Sequence, residues 1–256
     1  MAKPNNINRN QNRWLWFHRF GSPPYVYGFA TRWSPRFAII AVTLFAIGLY
    51  MGLVVAPPDY QMGDSYRIIF IHVPSAWMSM FIYVVMAVSA GIGLIWRMKL
   101  SHAFARACAP IGAGFTFCAL VTGSLWGKPT WGTYWIWDAR LTSELVLLFL
   151  YFGYMALVHS MDDWKTGSRA GAVLALVGLI NIPIIHFSVE WWNTLHQGAT
   201  ITKFGKPSID TAMLIPLLIM FVAVNFYFLS ALLNRVRCEL VDQERSTKWV
   251  HELVRG

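Results

Sequence analysis

One short stretch of the sequence is rich in residues that can hold a flat ring. Residues 126–140 read WGKPTWGTYWIWDAR and contain four of the chain's 13 tryptophans: Trp126, Trp131, Trp135 and Trp137. Tryptophan faces supply a broad apolar surface with an N–H donor at the edge, and the two intervening glycines let the backbone approach a ligand closely. The ordinary alternative is an interfacial aromatic belt, which needs neither so many tryptophans nor glycines between them. We therefore interpret the segment as a binding shelf for a planar ligand.

Two of the seven histidines, His72 and His196, also have tryptophans close by in the sequence, at Trp77 and at residues 191–192. A lone histidine in a loop is usually a solvated polar residue. Imidazole is nevertheless the common axial ligand of haem iron, and two facing imidazoles complete its coordination. His72 and His196 are therefore candidate axial ligands, with a solvated loop histidine as the alternative for each, and the sequence leaves open whether His186 can replace His196.

Charged residues follow the tryptophans directly. Asp138 precedes an apolar block, where a carboxylate either caps free helix N–H groups or serves the site. Arg140 offers a fork for a carboxylate such as a haem propionate, and it is also a candidate partner for Glu144, one helical turn later. Arg67 and Lys128 are further candidates for the propionate.

The elements that must position these residues are apolar blocks. The chain is 56% hydrophobic and only 13% charged, against about 25% charged in soluble domains. Six blocks stand out, at 37–56, 73–96, 107–127, 141–159, 170–189 and 211–234. Each is close to the roughly 20 residues that a helix needs to cross a membrane. The sequence predicts an all-α integral membrane protein, a bundle of six transmembrane helices with a tryptophan-rich outer loop.

The distribution of charge predicts the orientation of the bundle. With the N-terminus in the cytoplasm, 16 Lys and Arg residues fall on the inner side and five on the outer side. The positive-inside rule then favours two cytoplasmic termini, so the net charge of +9 is a topology signal and not a nucleic-acid footprint. We expect a basic cytoplasmic segment at 1–36, a six-span domain at 37–234 and a cytoplasmic tail at 235–256.

Three further expectations concern the N-terminal aromatic residues, the cysteines and a nucleotide-binding motif. Trp14, Trp16 and Phe17 either lie in the headgroup layer or belong to a disordered tail. The three cysteines form no C-x-x-C pair, which excludes a c-type haem attachment site, and we interpret all three as structural. The sequence also has no P-loop.

Three separated motifs resemble one family of membrane proteins. They are the tryptophan-rich segment 126–138, the run HVPSAW at 72–77 and the run VEWWNTLHQ at 189–197. The first resembles the "WWD" signature of haem-handling membrane proteins, and the other two are similar to the CcmC family within that group. The resemblance covers essentially the whole chain except the long basic N-terminus. Tyr134 stands where relatives often carry another tryptophan, and it keeps an aromatic face.

The resemblance implies a role in bacterial cytochrome c maturation. It implies that His72 and His196 ligate a non-covalent, transiently held haem b at the periplasmic face of the inner membrane. It also implies that the tryptophan-rich loop meets the haem chaperone CcmE, and that the partners include CcmD and the transporter-like pair CcmA and CcmB. No catalytic side chain is assigned, so we interpret the chain as a haem-presenting scaffold with a lyase-like outcome.

Two other classes of protein are weighed against this interpretation. A membrane cytochrome b carrier would place histidine pairs deep in facing helices, whereas most histidines here lie at the ends of the apolar blocks. A permease subunit of an ABC-type exporter of haem or a small molecule would need a polar pathway through the spans, where Glu144 is the one acidic or basic residue.

Overall fold

The computed structural model describes residues 21–192, 194–196 and 209–255. The α-helices of these residues are α1 Pro23–Tyr50, α2 Ile69–Trp96, α3 Lys99–Trp131, α4 Ala139–His159, α5 Trp164–Gly178, α6 Asn181–Trp191, α7 Thr211–Gln243 and α8 Lys248–Arg255. A π-helical turn, Met51–Val55, extends α1, and a 3-10 turn, Asp64–Ile68, leads into α2. The expectation for Trp14, Trp16 and Phe17 lies outside the described residues.

Six helical stretches of the described chain are long and apolar enough to cross a membrane, which confirms the predicted all-α bundle. The predicted blocks were too short at several ends, because four of the stretches are 33 residues long. At about 1.5 Å per residue such a helix spans roughly 50 Å, well beyond about 30 Å of hydrocarbon. Hydropathy detects the part of a helix that lies inside the hydrocarbon. It does not detect the polar turns that continue the helix outside the hydrocarbon.

The connections between helices distinguish the two ends of the bundle. We call the end that carries the α1–α2, α3–α4 and α6–α7 connections the histidine end. The opposite end carries the α2–α3 and α4–α5 connections and α8. Because the candidate spans number six, the start of α1 and the end of α7 lie at this opposite end.

The first and last spans pack against each other. Ser34 of α1 and Ser230 of α7 exchange buried hydrogen bonds, each hydroxyl donating to the other residue's carbonyl oxygen at 3.1 Å and 2.9 Å. Gly48 of α1 lies so close to Met220 that an added Cβ would stand 2.9 Å from its sulfur. Small residues and hydroxyls at the contact let two membrane helices approach, because lipid tails supply no hydrophobic drive between helices.

The central core lies among α2, α3, α4 and α5. It contains buried alanines of α3 at 103, 105, 107 and 109 together with the fully buried rings of Tyr83 and Tyr151. Their rings meet edge to face at 5.1 Å between centroids. Cys108 is buried in this core, Cys118 is half-buried and Cys238 is exposed, and all three are free.

The fifth span is broken into α5 and α6. The amides of Leu179 and Ile180 donate three residues back, to Leu176 and Val177, which tightens the end of α5. Pro183 has no N–H to continue an α-helical ladder across the break. Beyond the break, α6 carries the carbonyl oxygen of Ile185 to the histidine end.

Candidate functional site

His72 lies inside α2, in its first turn, and not just before the span as the sequence predicted. The helix starts earlier because the 3-10 turn Asp64–Ile68 feeds directly into it. The Nδ1 atom of His72 is 3.1 Å from the carbonyl oxygen of Ala119 and 3.1 Å from the Thr122 hydroxyl, both on α3. A carbonyl oxygen only accepts, so Nδ1 carries the proton and Nε2 keeps its lone pair. This tautomer is the one that a metal-binding Nε2 requires.

Close contact with α3 sets the position of the His72 ring. A Cβ added at Gly123 would stand 2.9 Å from Cε1 of His72, so only glycine leaves room for the imidazole there. One helical turn further along α3, Trp126 meets the same ring edge to face, with 5.7 Å between ring centroids. Neither Thr122 nor Gly123 was predicted from the sequence. Their spacing of four and three residues before Trp126 is the helical signal that could have found them.

The tryptophan-rich segment is partly helix and partly loop, whereas the sequence predicted a loop throughout. Helix α3 continues to Trp131 and ends at Gly132, whose φ of 80° is the left-handed conformation that glycine adopts at helix ends. The loop then folds back along the helix, where Ser124 donates to the carbonyl oxygen of Tyr134 at 2.6 Å. A Cβ at Gly127 would stand 3.1 Å from the Thr133 carbonyl oxygen. The close approach predicted for the glycines is thus between helix and loop.

The four tryptophans do not form one continuous shelf. Trp126 and Trp131 are half-buried at the end of α3, and Trp135 is half-buried against the core. Trp137 is 75% exposed, and its ring lies edge to face with Trp135 at 5.3 Å between centroids. Two tryptophans therefore contact candidate ligand histidines, one reaches into the bundle and one faces outward.

His196 lies next to the other end of this segment. Its ring meets Trp131 edge to face at 4.8 Å between centroids, and its Nδ1 is 3.7 Å from Oδ2 of Asp138. Burial lowers the pKa of His196 below its ordinary value, and the charge of Arg140 lowers it further, while Asp138 opposes both effects. A neutral imidazole is the form that ligates a metal ion.

Asp138 caps a helix, which is one of the two roles that the sequence left open, and its other carboxylate oxygen faces His196. Its Oδ1 accepts a hydrogen bond from the Leu141 amide at 2.8 Å and so caps α4. Its Oδ2 is buried, faces His196 and makes no hydrogen bond within the described residues. One carboxylate therefore starts a helix and places a negative charge beside the imidazole.

Arg140 and Glu144 form no salt bridge with each other in the described structure. Arg140 donates from Nη1 to the carbonyl oxygen of Ile185 on α6 at 3.1 Å, and Glu144 accepts from the Ser79 hydroxyl at 2.7 Å. The pairing predicted for these residues is therefore replaced by contacts to other helices. The positive charge of Arg140 is one of the causes that lower the pKa of His196, so Arg140 remains a candidate cation of the site.

Several buried polar atoms at the histidine end have no hydrogen-bond partner in the described part of the chain. They are Nε1 of Trp126, Nε1 of Trp135, Oδ2 of Asp138, Oγ1 of Thr194 and Nδ1 of His196. Buried polar groups are normally satisfied, so these atoms require partners other than the described residues. An iron porphyrin fits the donor set, because it needs two axial ligands, apolar faces for the ring and donors for its carboxylates.

The other candidates lie apart or are engaged locally. His186 is exposed on α6, and its ring packs against Phe187 at 4.7 Å between centroids. Arg67 donates to Asp64 at 2.8 Å and to the Gly52 carbonyl oxygen at 2.6 Å. Lys128 donates to the carbonyl oxygen of Gly132 at 3.1 Å. These contacts favour Arg140 over Arg67 and Lys128 as the cation of the site.

The fold and the site together define a class: a multi-pass helical membrane protein with a histidine- and tryptophan-lined site at one end. Residues 16–251 match the family model described as CcmC, heme exporter protein C. Heme exporter protein C of Escherichia coli strain K12 is 51% identical over 243 residues, covering 94% of this chain and 97% of the relative. The Haemophilus influenzae protein of that name is 46% identical over 240 residues, covering 94% and 98%. The Bradyrhizobium diazoefficiens protein is 53% identical over 207 residues, covering 81% and 78%.

The chain belongs to the heme exporter protein C family, as its three sequence motifs predicted. It is accordingly a multi-pass membrane protein of cytochrome c-type biogenesis that handles haem.

Proposed function

We propose that the chain binds haem b, non-covalently and transiently, at its histidine end and presents it to the haem chaperone CcmE. One observation carries the proposal. Two imidazoles from distant parts of the chain contact tryptophans near the same end of α3: His72 contacts Trp126, and His196 contacts Trp131. Nothing in a purely structural role requires two partly buried imidazoles at one end of a bundle.

In this proposal the chain's residues hold and orient the haem. His72 and His196 supply Nε2 lone pairs to the iron, and the contact of His72 Nδ1 with Ala119 fixes the ring. Trp126 and Trp131 cover apolar parts of the ring. Bis-histidine haem has no open iron position, so the chain serves as a carrier and not as an oxygen-binding site.

The charged and outward-facing residues divide the remaining roles. The Arg140 guanidinium binds the haem propionates. The Asp138 carboxylate holds the His196 imidazole by electrostatic attraction. Trp135 and Trp137 carry the haem edge on the side where CcmE approaches, since Trp137 is the most exposed of the four. An exposed aromatic ring is typical of a contact with a partner protein.

The same proposal places the chain in the bacterial inner membrane with both termini in the cytoplasm and the haem site in the periplasm. The asymmetry of Lys and Arg in the sequence supports this orientation. CcmA, CcmB and CcmD are the proposed partners in the membrane. The absence of a P-loop in the sequence fits a nucleotide site on a partner subunit.

Absorption spectra of the purified full-length protein test the proposal. We expect wild type, prepared with and without co-expressed CcmE, to show low-spin bis-histidine haem. His72→Ala and His196→Ala should each lose or change that spectrum, and CcmE loading should fall in step. His159→Ala is the matched control, because His159 is exposed at the opposite end of α4 and bonds only to its own helix.

Two outcomes would contradict the proposal. Haem retained unchanged in both variants means that neither histidine ligates the iron. Haem lost equally in His159→Ala means that the variants lose the fold and not a ligand. Loss of CcmE loading with an intact spectrum would instead keep the haem site and remove its role in presentation.

A further inference from the structure

A cavity lies at the end of the bundle opposite His72 and His196. It measures about 220 Å³ and opens between the α2–α3 and α4–α5 connections. Its polar and aromatic lining consists of Arg97, Lys99, His102, Trp164, Lys165 and Arg169. No acidic residue lines it. The cavity therefore concentrates positive charge beside an aromatic ring.

The four cations of this cavity form no salt bridges in the described part of the chain, although Lys165 interacts electrostatically with the neighbouring Asp163. No salt bridge joins any of them to a carboxylate within the described residues, which include all 12 Asp and Glu residues of the sequence. Asp163 precedes Trp164, but its carboxylate accepts from the amides of Lys165 and Thr166 and caps α5. Lys99 lies 5.9 Å from the ring centroid of Trp164, so it contacts an aromatic face and not an acid.

The backbone at Arg97 is a second, independent observation. Its φ of 54° makes it the one non-glycine residue with positive φ among residues that the structure describes. It ends α2 at the position where glycine is favoured. A side chain retained there against backbone strain points to a function for the side chain. The N-termini of α3 and α5 start beside the same cavity and add partial positive charge.

We propose that this cavity binds the phosphate of an anionic phospholipid headgroup, such as phosphatidylglycerol, in the leaflet at this end of the bundle. Arginine forks and lysines are the usual partners of phosphate. A tryptophan at a helix start suits the headgroup layer, and basic pockets between membrane helices bind anionic headgroups. The proposal does not depend on haem binding.

Native mass spectrometry of the full-length protein tests the site. The protein in zwitterionic detergent is titrated with phosphatidylglycerol or phosphatidylcholine, and bound lipid is counted. We expect phosphatidylglycerol to be preferred by wild type. Each Lys or Arg near an anionic headgroup strengthens its binding about fivefold. Arg97→Gly should therefore weaken the binding of phosphatidylglycerol about fivefold, and Lys165→Gln with Arg169→Gln about 25-fold. Arg97→Gly should also keep the fold, since glycine adopts the left-handed conformation without strain.

The matched control removes two cations from the same end of the chain but away from the cavity. Lys248→Gln with Arg255→Gln changes α8, whose Lys248 side chain is 91% exposed, and should leave phosphatidylglycerol binding within about twofold of wild type. Equal loss in this control, or no preference for phosphatidylglycerol in wild type, would overturn the proposal. Binding of inorganic phosphate alone as tightly as the lipid would assign the site to a free phosphate group and overturn the lipid as its source.

Discussion

A missing side chain at Gly123 leaves the space in which the His72 imidazole lies. In Gly123→Ala the new Cβ would stand 2.9 Å from Cε1 of His72, so the ring must move away from Ala119 and Thr122. Loss of such an orienting contact typically costs a metal site about 10- to 100-fold in affinity. We expect haem binding by Gly123→Ala to weaken by that factor, measured by haem titration of the apoprotein.

Gly114→Ala is the matched control, because it makes the same chemical change on the same helix. A Cβ at Gly114 meets nothing within 4 Å, so haem affinity and thermal stability should equal those of wild type. If Gly123→Ala binds haem as wild type does, the position of the His72 ring does not govern the site. Equal weakening in both variants would point to helix α3 as a whole.

The environment of His196 predicts a pH dependence with a definite sign. Burial and the charge of Arg140 lower the pKa of His196, and Asp138 opposes them. A group whose folded pKa lies below its unfolded value stabilises the fold less as pH falls from the unfolded to the folded pKa. We expect NMR of isotope-labelled histidine in the apoprotein to show His196 titrating below the ordinary histidine value.

Asp138→Asn separates charge from capping in this pH dependence. Asparagine caps helices about as well as aspartate, so α4 should remain, while the loss of the carboxylate lowers the pKa of His196 further. Asp64→Asn is the control, since Asp64 pairs with Arg67 and not with a histidine. A pKa of His196 that rises in Asp138→Asn would contradict the assignment of the 3.7 Å contact.

At the scale of elements, α5 packs closely against α2 at the break in the fifth span. Gly178 ends α5, and a Cβ added there would collide with the Tyr83 hydroxyl. That hydroxyl is buried with no hydrogen-bond partner in the described chain. Gly178→Ala should therefore lower the midpoint of thermal unfolding in detergent, by overpacking worth about 1–3 kcal/mol.

A double-mutant cycle shows whether the collision is the cause. Tyr83→Phe removes the unpartnered hydroxyl and should be nearly neutral alone. It should restore part of the stability lost in Gly178→Ala, since the ring carbon Cζ would still stand 2.9 Å from the new Cβ. Gly153→Ala serves as the control on α4, because its Cβ would meet Leu174 at an ordinary 3.5 Å. If the effects of the two substitutions are additive, the collision with the Tyr83 hydroxyl is not the cause of the lost stability.

The elements that the sequence predicts best are those with a strong local signal. A block of about 20 apolar residues is sufficient evidence for a span, and all six were predicted. The end of α3 was not, because Trp126–Trp131 is aromatic and contains Pro129, and such a composition also suits a loop. The helix ends only at Gly132, where the left-handed conformation stops it.

The site shows the limit of the same reasoning. His72, His196 and the tryptophans could be found from residue type and their neighbours in the sequence. The contact of His72 with Ala119 and Thr122 could not, because it depends on the register between α2 and α3. The choice of Ser79 and not Arg140 as the hydrogen-bond partner of Glu144 depends on tertiary packing in the same way.

At the scale of the whole molecule, the orientation decides on which side of the membrane haem would be presented. The excess of Lys and Arg favours cytoplasmic termini. Single-cysteine variants, with Cys108, Cys118 and Cys238 replaced by serine, can report it. Tyr60 is 90% exposed in the α1–α2 connection at the histidine end, and the Lys248 side chain on α8 is 91% exposed at the opposite end.

We expect a membrane-impermeant maleimide to label Tyr60→Cys in intact bacterial cells whose outer membrane has been opened. Lys248→Cys should be labelled only after the inner membrane is permeabilised as well. Equal labelling of both variants in permeabilised cells controls for reactivity, because both side chains are similarly exposed. The reverse pattern would place the histidines, Arg140 and the tryptophans in the cytoplasm. Presentation of haem to a periplasmic chaperone would then require passage of haem through or around the bundle. The positively charged end of the bundle would face the periplasm, contrary to the positive-inside rule from which the orientation was predicted.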